Sequence, residues 1–280
     1  MTDTGKVRQK NEDQYLVASL RRVIDIEESS IPTEGRLEFA RGATALLLLV
    51  ADGVGGSKGG KEASSRTLDT IVRYVASSSV FFSNPGQESQ RALLHDLALS
   101  VQWSHAAVRN EAASRTSLES MATTLTMAFA LWPKVYVVQV GDSRCYHLRG
   151  TTLTKVTRDQ TVAQDMIDQG LLPASAAERS PLSHVLSQAV GGSGESEIWP
   201  TIVTLDLEPG DVLLLCTDGL TKHVAEPRIA ELVERAESAS QACTSLVEAA
   251  LADGGSDNVT VVIARAAPAP PPNPVGAPPA

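Results

Sequence analysis

The order of apolar runs along the chain predicts an α+β fold rather than alternating βαβ units. Three observations carry this reading. Two strand-like runs are followed by two stretches of helical spacing, then by several short strand-like runs, two further helices and a last strand. From residue 122 the β-type runs follow one another too closely for crossover helices, so neighbouring strands must be antiparallel. The run LLLLV at 46–50, between Gly42 and Gly53, is apolar without alternation, as a strand buried on both faces should be.

Taken in order, residues 14–19 (QYLVAS) form the first predicted strand, after the polar segment 8–13 (RQKNED). Residues 21–41 are polar and charged and read as a long hairpin connection with loop-like tips around Pro32 and Gly35. The leucine run ends in Asp52 and then five glycines within residues 53–60, a composition that lets a loop take positive φ and approach a ligand closely. Leu68, Ile71, Val72 and Val75 recur at helical spacing, as do Leu93, Leu94, Leu97, Val101 and Val108. Two amphipathic helices follow from this, joined by a loop around Asn84, Pro85 and Gly86. Strands are then predicted at 122–132 (ATTLTMAFALW), 134–140 (KVYVVQV), 144–150 (RCYHLRG) and 152–157 (TLTKVT). A helix at 161–169 is stopped by Gly170 and Pro173, and 174–183 reads as an irregular flap. Strands resume at 201–205 and 211–216 around the turn Glu208-Pro209-Gly210. Helices at 227–236 and 242–251 and a strand at 258–265 complete one domain over residues 1–265. Residues 266–280 (AAPAPPPNPVGAPPA) are expected to form a disordered Pro-rich tail.

At 280 residues and 42% hydrophobic content the chain can bury a full core. A net charge of −9 and a pI near 5.1 argue against nucleic acid as the partner. An acidic protein still handles phosphate if cations neutralise its site. Cys145, Cys216 and Cys243 are odd in number and far from any CxxC spacing, so neither a disulfide framework nor a zinc site is indicated and a reducing cytoplasm is expected. The start MTDTGKVRQK has no apolar signal core and no stretch reaches the length of a membrane span, which predicts a soluble, cytoplasmic monomer.

Five sites share one local grammar, an acidic residue beside Gly, Asn, Ser or another acid at the edge of an apolar strand: Glu12-Asp13, Asp52-Gly53, Asp142-Ser143, Asp218-Gly219 and Asp257-Asn258. Each aspartate alone would be an ordinary turn or cap residue. Repetition is the signal. Asp52, Asp142 and Asp218 end or follow strongly apolar runs, which should bring them to one rim of a β core. Carboxylates converging there would repel one another unless cations held them, and hard oxygen ligands suit Mg²⁺ or Mn²⁺. A two-metal site lowers the pKa of a bound water toward about 7 and supplies a nucleophile without a side-chain nucleophile. The glycine loop also approaches a Walker A pattern, Gly55 to Gly60-Lys61, but Glu62 stands where Ser or Thr should meet magnesium.

Seven motifs follow one another in sequence, TDTGKVRQKNED, VADGVGG, ATTLTMAF, VGDSRCYHL, LTKVTRDQT, CTDGLTKHV and GGSDNVTVV, and the likeness they carry runs from Asp3 to Arg265. Together they resemble the metal-dependent serine/threonine protein phosphatase family of the protein phosphatase 2C type, in its compact bacterial form. The resemblance implies a four-layer α-β-β-α sandwich of two antiparallel sheets flanked by helix pairs. It also implies that Asp13 and Asp52 are metal ligands, with Asp52 bridging two Mg²⁺ or Mn²⁺ ions and the Gly53 carbonyl completing one shell, and that Asp218 and Asp257 hold the other ion. Glu12 would act through metal-bound water, Asn258 lies beside the last ligand, and Arg8 matches the arginine that grips the substrate phosphate, a bidentate task suited to guanidinium. With Arg8, Asp13 and Asp52 as the catalytic set, the implied reaction is direct in-line attack of the bridging water on phosphoserine or phosphothreonine, opposing a bacterial Ser/Thr kinase.

Two positions depart from that family. Ser57 stands where many bacterial relatives have histidine after the paired glycines. Lys222 stands where many have an aspartate that helps Asp142 hold a third ion, so a third ion is expected to be weak or absent, with Lys222 pairing Asp142 instead. His223 is a candidate for proton transfer and His184 should border the site, whereas His105, His147 and Cys216 read as structural. Two alternative functions remain: a metal-free pseudophosphatase that only binds phosphoproteins, against which the retained Asp13, Asp52, Asp218 and Asp257 argue, and a P-loop nucleotidase, against which Glu62 argues.

Overall fold

A strand buried on both faces needs a packed layer on each side, and the leucine run has both. Leu47 and Leu49 face one core and Leu48 and Val50 another, all at most 1% exposed. Each such burial is worth roughly 2 kcal/mol. The computed structural model describes residues 1–20, 23–25, 36–38, 45–54, 59–82, 87–115, 121–173, 175, 180–192 and 197–267.

In chain order the strands and helices are β1 (Thr2–Asp3), β2 (Gln14–Leu20), β3 (Val23–Asp25), β4 (Arg36–Glu38), β5 (Ala45–Ala51), β6 (Gly53–Val54), α1 (Gly60–Ser77), α2 (Gln87–Ser114), β7 (Ala122–Thr123), β8 (Leu125–Leu131), β9 (Lys134–Val140), β10 (Arg144–Arg149), β11 (Thr152–Lys155), α3 (Val162–Asp168), β12 (Val190–Gly191), β13 (Thr201–Asp206), β14 (Val212–Cys216), α4 (Asp218–Thr221), α5 (Glu226–Arg235), α6 (Ala239–Ala252) and β15 (Val259–Arg265). One sheet has the order β13-β9-β8-β5-β2 and the other β1-β15-β14-β10-β11, and every pairing is antiparallel. A small sheet, β12-β7-β6, sits beside them, and β3 pairs with β4 as the arms of the expected hairpin, whose tip lies outside the described residues.

Three cores separate four layers. Ala63, Leu68, Ile71 and Val75 of α1 and Leu93, Leu97, Val101 and Val108 of α2 pack on the first sheet through Leu47, Leu49, Met127 and Phe129. Between the sheets, Leu48, Val50, Ala128 and Val137 meet Cys145, Leu213, Leu215 and Val262. On the far side, Tyr146, Leu214, Cys216 and Val261 meet Ile229 and Val233 of α5 and Leu246 and Val247 of α6. The predicted sandwich is therefore the observed one. Alternation explains it: successive side chains of each central strand point to opposite faces, so one strand serves two cores.

Register then delivers the acidic residues. Gln14 pairs Ala51, which sets Asp13 beside Asp52 where β2 begins and β5 ends. Arg144 pairs Cys216 and Cys216 pairs Val261, so the segments 142–143, 217–218 and 257–258 also lie beyond their sheet at one end. Three short strands, β1, β6 and β12, are not expected from the sequence, because two-residue strands carry no periodicity. The predicted strand 122–132 is broken at Thr124, and the break serves the site described below. Of the expected flap, Pro181–His184 forms a single 3-10 turn, while residues 174 and 176–179 lie outside the described residues, as do 268–280 of the tail. Among the described residues no helix is long and apolar enough to cross a membrane.

Candidate metal centre

Asp13, Asp142, Asp218 and Asp257 all act electrostatically on Asp52 where both sheets end. Among the described residues, no three acidic, histidine or cysteine side chains are drawn closely enough together to hold an ion as they stand. Asp13 is 2% exposed, and its Oδ2 accepts hydrogen bonds from Thr217 Oγ1 at 2.9 Å and Thr260 Oγ1 at 2.7 Å. Among the described residues its buried Oδ1 has no partner, and neither has Oδ1 of Asp218. A buried carboxylate oxygen without a partner is costly, unless a cation belongs there. Asp52 is fixed by its backbone, whose N–H donates to Thr124 Oγ1 at 3.0 Å and whose carbonyl accepts from Thr124 N at 2.9 Å and Thr123 Oγ1 at 2.7 Å. This is why β7 and β8 are interrupted at Thr124.

Glycine beside aspartate has a steric cause here rather than a turn cause. A Cβ on Gly53 would collide with the backbone of Gly60, and one on Gly219 would collide with the carbonyl of Asn258. The Asp-Gly pairs let neighbouring ligand loops touch backbone to backbone.

Charge is distributed unevenly. Burial first, and then the surrounding carboxylates, push the Asp52 carboxyl well above its ordinary range. Burial likewise raises Asp13, against the lowering effect of its two threonine donors, and raises Asp142 with help from Asp218 and Asp159. Asp257 behaves oppositely. Burial would raise it, but hydrogen bonds from Arg8 and Lys222 outweigh that and hold it low. Arg8 reaches Asp257 with Nε to Oδ1 at 2.7 Å and Nη2 to Oδ2 at 3.0 Å, and its own side chain is 44% exposed.

Lys222 is not where the sequence reading set it. Its Nζ lies 2.6 Å from Asp218 Oδ2 and 2.8 Å from Asp257 Oδ2, rather than on Asp142. The reason is helical spacing: Lys222 follows Asp218 by one turn of α4, with its N–H on the Asp218 carbonyl at 2.8 Å. Asp142 sits instead in a loop anchored through Gly141, whose N–H donates to Gln160 Oε1 at 2.8 Å, while Ser143 Oγ shares a 2.7 Å hydrogen bond with Thr124 Oγ1.

Asn258 ties the N-terminal segment to the last ligand. Its Oδ1 accepts from Glu12 N, and its Nδ2 donates to the carbonyls of Thr4 and Lys10, all at 2.9 Å. The Glu12 carboxyl is raised, chiefly by burial. His223 has both ring nitrogens on the loop before Asp257: Nε2 accepts from Ser256 N at 2.9 Å and Nδ1 lies 3.0 Å from the Asp253 carbonyl. Those contacts clip the ligand loop and occupy the atoms that proton transfer would need. Burial pushes the Cys216 thiol up to about 12, so it stays protonated, and His105 accepts from Gly191 N as a core group. Ser57 lies outside the described residues.

Sequence reasoning brings Arg8, Glu12, Asp13, Asp52, Asp142, Asp218, Asp257 and Asn258 into one neighbourhood. It misses Thr124, Thr217, Thr260 and Gln160, the groups that orient them. A signal existed, since each threonine is a polar residue inside or next to a buried strand and must hydrogen-bond something.

The sequence pattern of the family described as Protein phosphatase 2C matches residues 27–254. The chain is 35% identical over 222 residues to the serine/threonine protein phosphatase PstP of Mycobacterium tuberculosis, a match covering 79% of this chain and 40% of that protein. It therefore spans about two-fifths of the length of the curated relatives matched first. The crystal structure of the Mycobacterium tuberculosis phosphatase PstP/Ppp superposes with a TM-score of 0.73 at 30% identity, covering 95% of this chain and 97% of that one. A PstP catalytic domain described as a complex with 2 manganese ions gives a TM-score of 0.72 at 29% identity, covering 96% of each chain.

Proposed function

Because the chain belongs to the protein phosphatase 2C family, we propose that it is a metal-dependent phosphatase that hydrolyses phosphoserine and phosphothreonine in proteins and opposes a Ser/Thr kinase. The observation that carries the reading is the pair of buried, unpartnered oxygens, Asp13 Oδ1 and Asp218 Oδ1, in a site built of hard oxygen donors. The residues fit Mg²⁺ or Mn²⁺, with Asp13, Asp52, the Gly53 carbonyl, Asp218 and Asp257 as the holding set. Two such ions, when bound, would supply positive charge for the phosphoryl group and a water of lowered pKa as nucleophile.

The chain's own residues do the rest. Thr217 and Thr260 engage one oxygen of Asp13 and leave the other available. Thr123 and Thr124 hold the Asp52 backbone, and Asn258 holds the strap carrying Arg8, Glu12 and Asp13 against the Asp257 loop. Arg8, half-exposed at the rim, can turn from Asp257 to present its fork of donors to phosphate oxygens. A cysteinyl-phosphate route is disfavoured because Cys216, two residues before Asp218, is fully buried and its thiol is raised by that burial. All three cysteines are free and buried, which fits a reducing compartment such as the cytoplasm.

The test is release of inorganic phosphate from phosphothreonine, phosphoserine and phosphotyrosine peptides with Mn²⁺. Turnover of the first two, stopped by EDTA and restored by excess Mn²⁺, is the expected result. No turnover of any peptide with Mn²⁺ present, or turnover indifferent to EDTA, would overturn the reading.

A further inference from the structure

The two halves of the acidic cluster are neutralised differently. Among the described residues, Asp13 and Asp52 make no ion pair. Asp218 and Asp257, by contrast, are joined by one ammonium, Lys222 Nζ, at 2.6 and 2.8 Å from their Oδ2 atoms. Asp257 is further committed, since its Oδ1 lies 2.7 Å from Arg8 Nε and accepts from Asn258 N at 3.0 Å. The Lys222 side chain is only 26% exposed, so this contact is shielded from solvent on most sides.

We propose that Lys222 is a built-in counter-ion for the Asp218/Asp257 half of the site, competing with the metal ion that those two carboxylates would hold. The inference rests on the metal-dependent reading given above. Its physical basis is that an ammonium and a divalent ion would share the same two carboxylates: Asp218 Oδ1 is open, but its Oδ2 and the Asp257 Oδ2 already face Lys222 Nζ, and like charges repel at such range. Without metal, Lys222 keeps two carboxylates together that would otherwise repel. For an ion to settle on both carboxylates, Lys222 must loosen its hold on Asp257 and move its charge outward, which its flexible four-carbon stem allows. The cost falls on one ion only. Asp13 and Asp52 bind theirs without displacing an internal cation, so the two ions should differ in affinity.

The experiment is calorimetric titration of the metal-free protein with MnCl₂, alongside thermal unfolding of the same samples. In the parent, one ion should bind at least about tenfold more weakly than the other, and Lys222→Met should tighten the weaker one by about tenfold or more. Metal-free Lys222→Met should also melt below the parent and gain more from Mn²⁺. Lys222→Gln, which keeps length and polarity, serves if the methionine variant does not fold and should shift the same ion. Two ions of similar affinity in the parent, unchanged in either variant, would overturn the counter-ion role while leaving the hydrolase reading intact. No Mn²⁺ bound by parent or variants would overturn both.

Discussion

Strands β10 and β14 carry carboxylates at both of their ends, and the two ends treat them in opposite ways. At one end lie Asp142 and Asp218, beside Asp13 and Asp52. Among the described residues Asp13 and Asp218 each keep a buried oxygen without a partner, and the carboxyl groups of Asp13, Asp52 and Asp142 are raised chiefly by burial, with neighbouring carboxylates adding to it. At the other end Asp211, 3% exposed, faces Arg149 Nη2 at 2.7 Å and His147 Nε2 at 2.9 Å and accepts the Glu208 N–H at 2.8 Å. Burial would raise Asp211, yet the Arg149 guanidinium, the Glu208 N–H and His147 outweigh it and hold it far below the usual carboxylate range. A buried acid that serves stability is surrounded by donors. One that serves chemistry is left short of them, because its missing partner arrives from solution.

The sharpest way to break this comparison is to neutralise one acid at each end. Asp52→Asn should lower hydrolysis of a small phosphate ester by about a hundredfold or more while the metal-free fold keeps or gains stability, since one repelling charge is gone. Activity within about threefold of the parent would refute the assignment. Asp211→Ala should do the reverse. It strands Arg149 and His147 and removes a satisfied buried acceptor, which should cost about 2–3 kcal/mol in denaturant unfolding while the folded protein retains its turnover. Loss of turnover without loss of stability would erase the distinction between the ends.

Smaller effects sharpen it. In the metal-free protein Asp13 and Asp142 are pushed up to about 7, above their unfolded values. Between about pH 4 and 7 the folded state then binds more protons than the unfolded chain, so stability is highest on the acid side and declines as pH rises through the folded values. Asp211, held low, keeps its contribution across that window and loses it only in strong acid. Thermal unfolding at pH 5.5 and 7.5 without metal should therefore favour the lower pH, and saturating Mn²⁺ should remove or reverse the difference. The smallest effect expected is that of Arg8→Ala, which should raise KM several-fold with a lesser change in kcat, because it deletes a phosphate clamp rather than the nucleophile's ligands. A kcat loss as large as that of Asp52→Asn would move Arg8 into the reaction itself.

The sequence exposes this architecture wherever a run is long enough to show a period. The leucine strand, the two long helices and the closing β-branched strand were legible because burial on one or two faces writes itself into residue spacing. Two-residue strands such as β1, β6 and β12 were not, since pairing partners far along the chain decide them. The acidic neighbourhood was legible from five repetitions of one local pattern. The role of its glycines was not, because the Gly53–Gly60 and Gly219–Asn258 contacts join segments that no local rule connects.

What the sequence alone determined, then, is which residue types gather: aspartates at strand ends, a forked cation near the start, and no thiol or histidine set for another chemistry. What only the tertiary structure decided is how each charge is matched. Register sets Asp13 beside Asp52 with one oxygen left bare, the threonines choose which oxygen, and one helical turn carries Lys222 to Asp218 and Asp257 instead of Asp142. The reason is physical: composition fixes the charges available, but an electrostatic interaction depends on distance and burial, and both exist only once the sheets have packed.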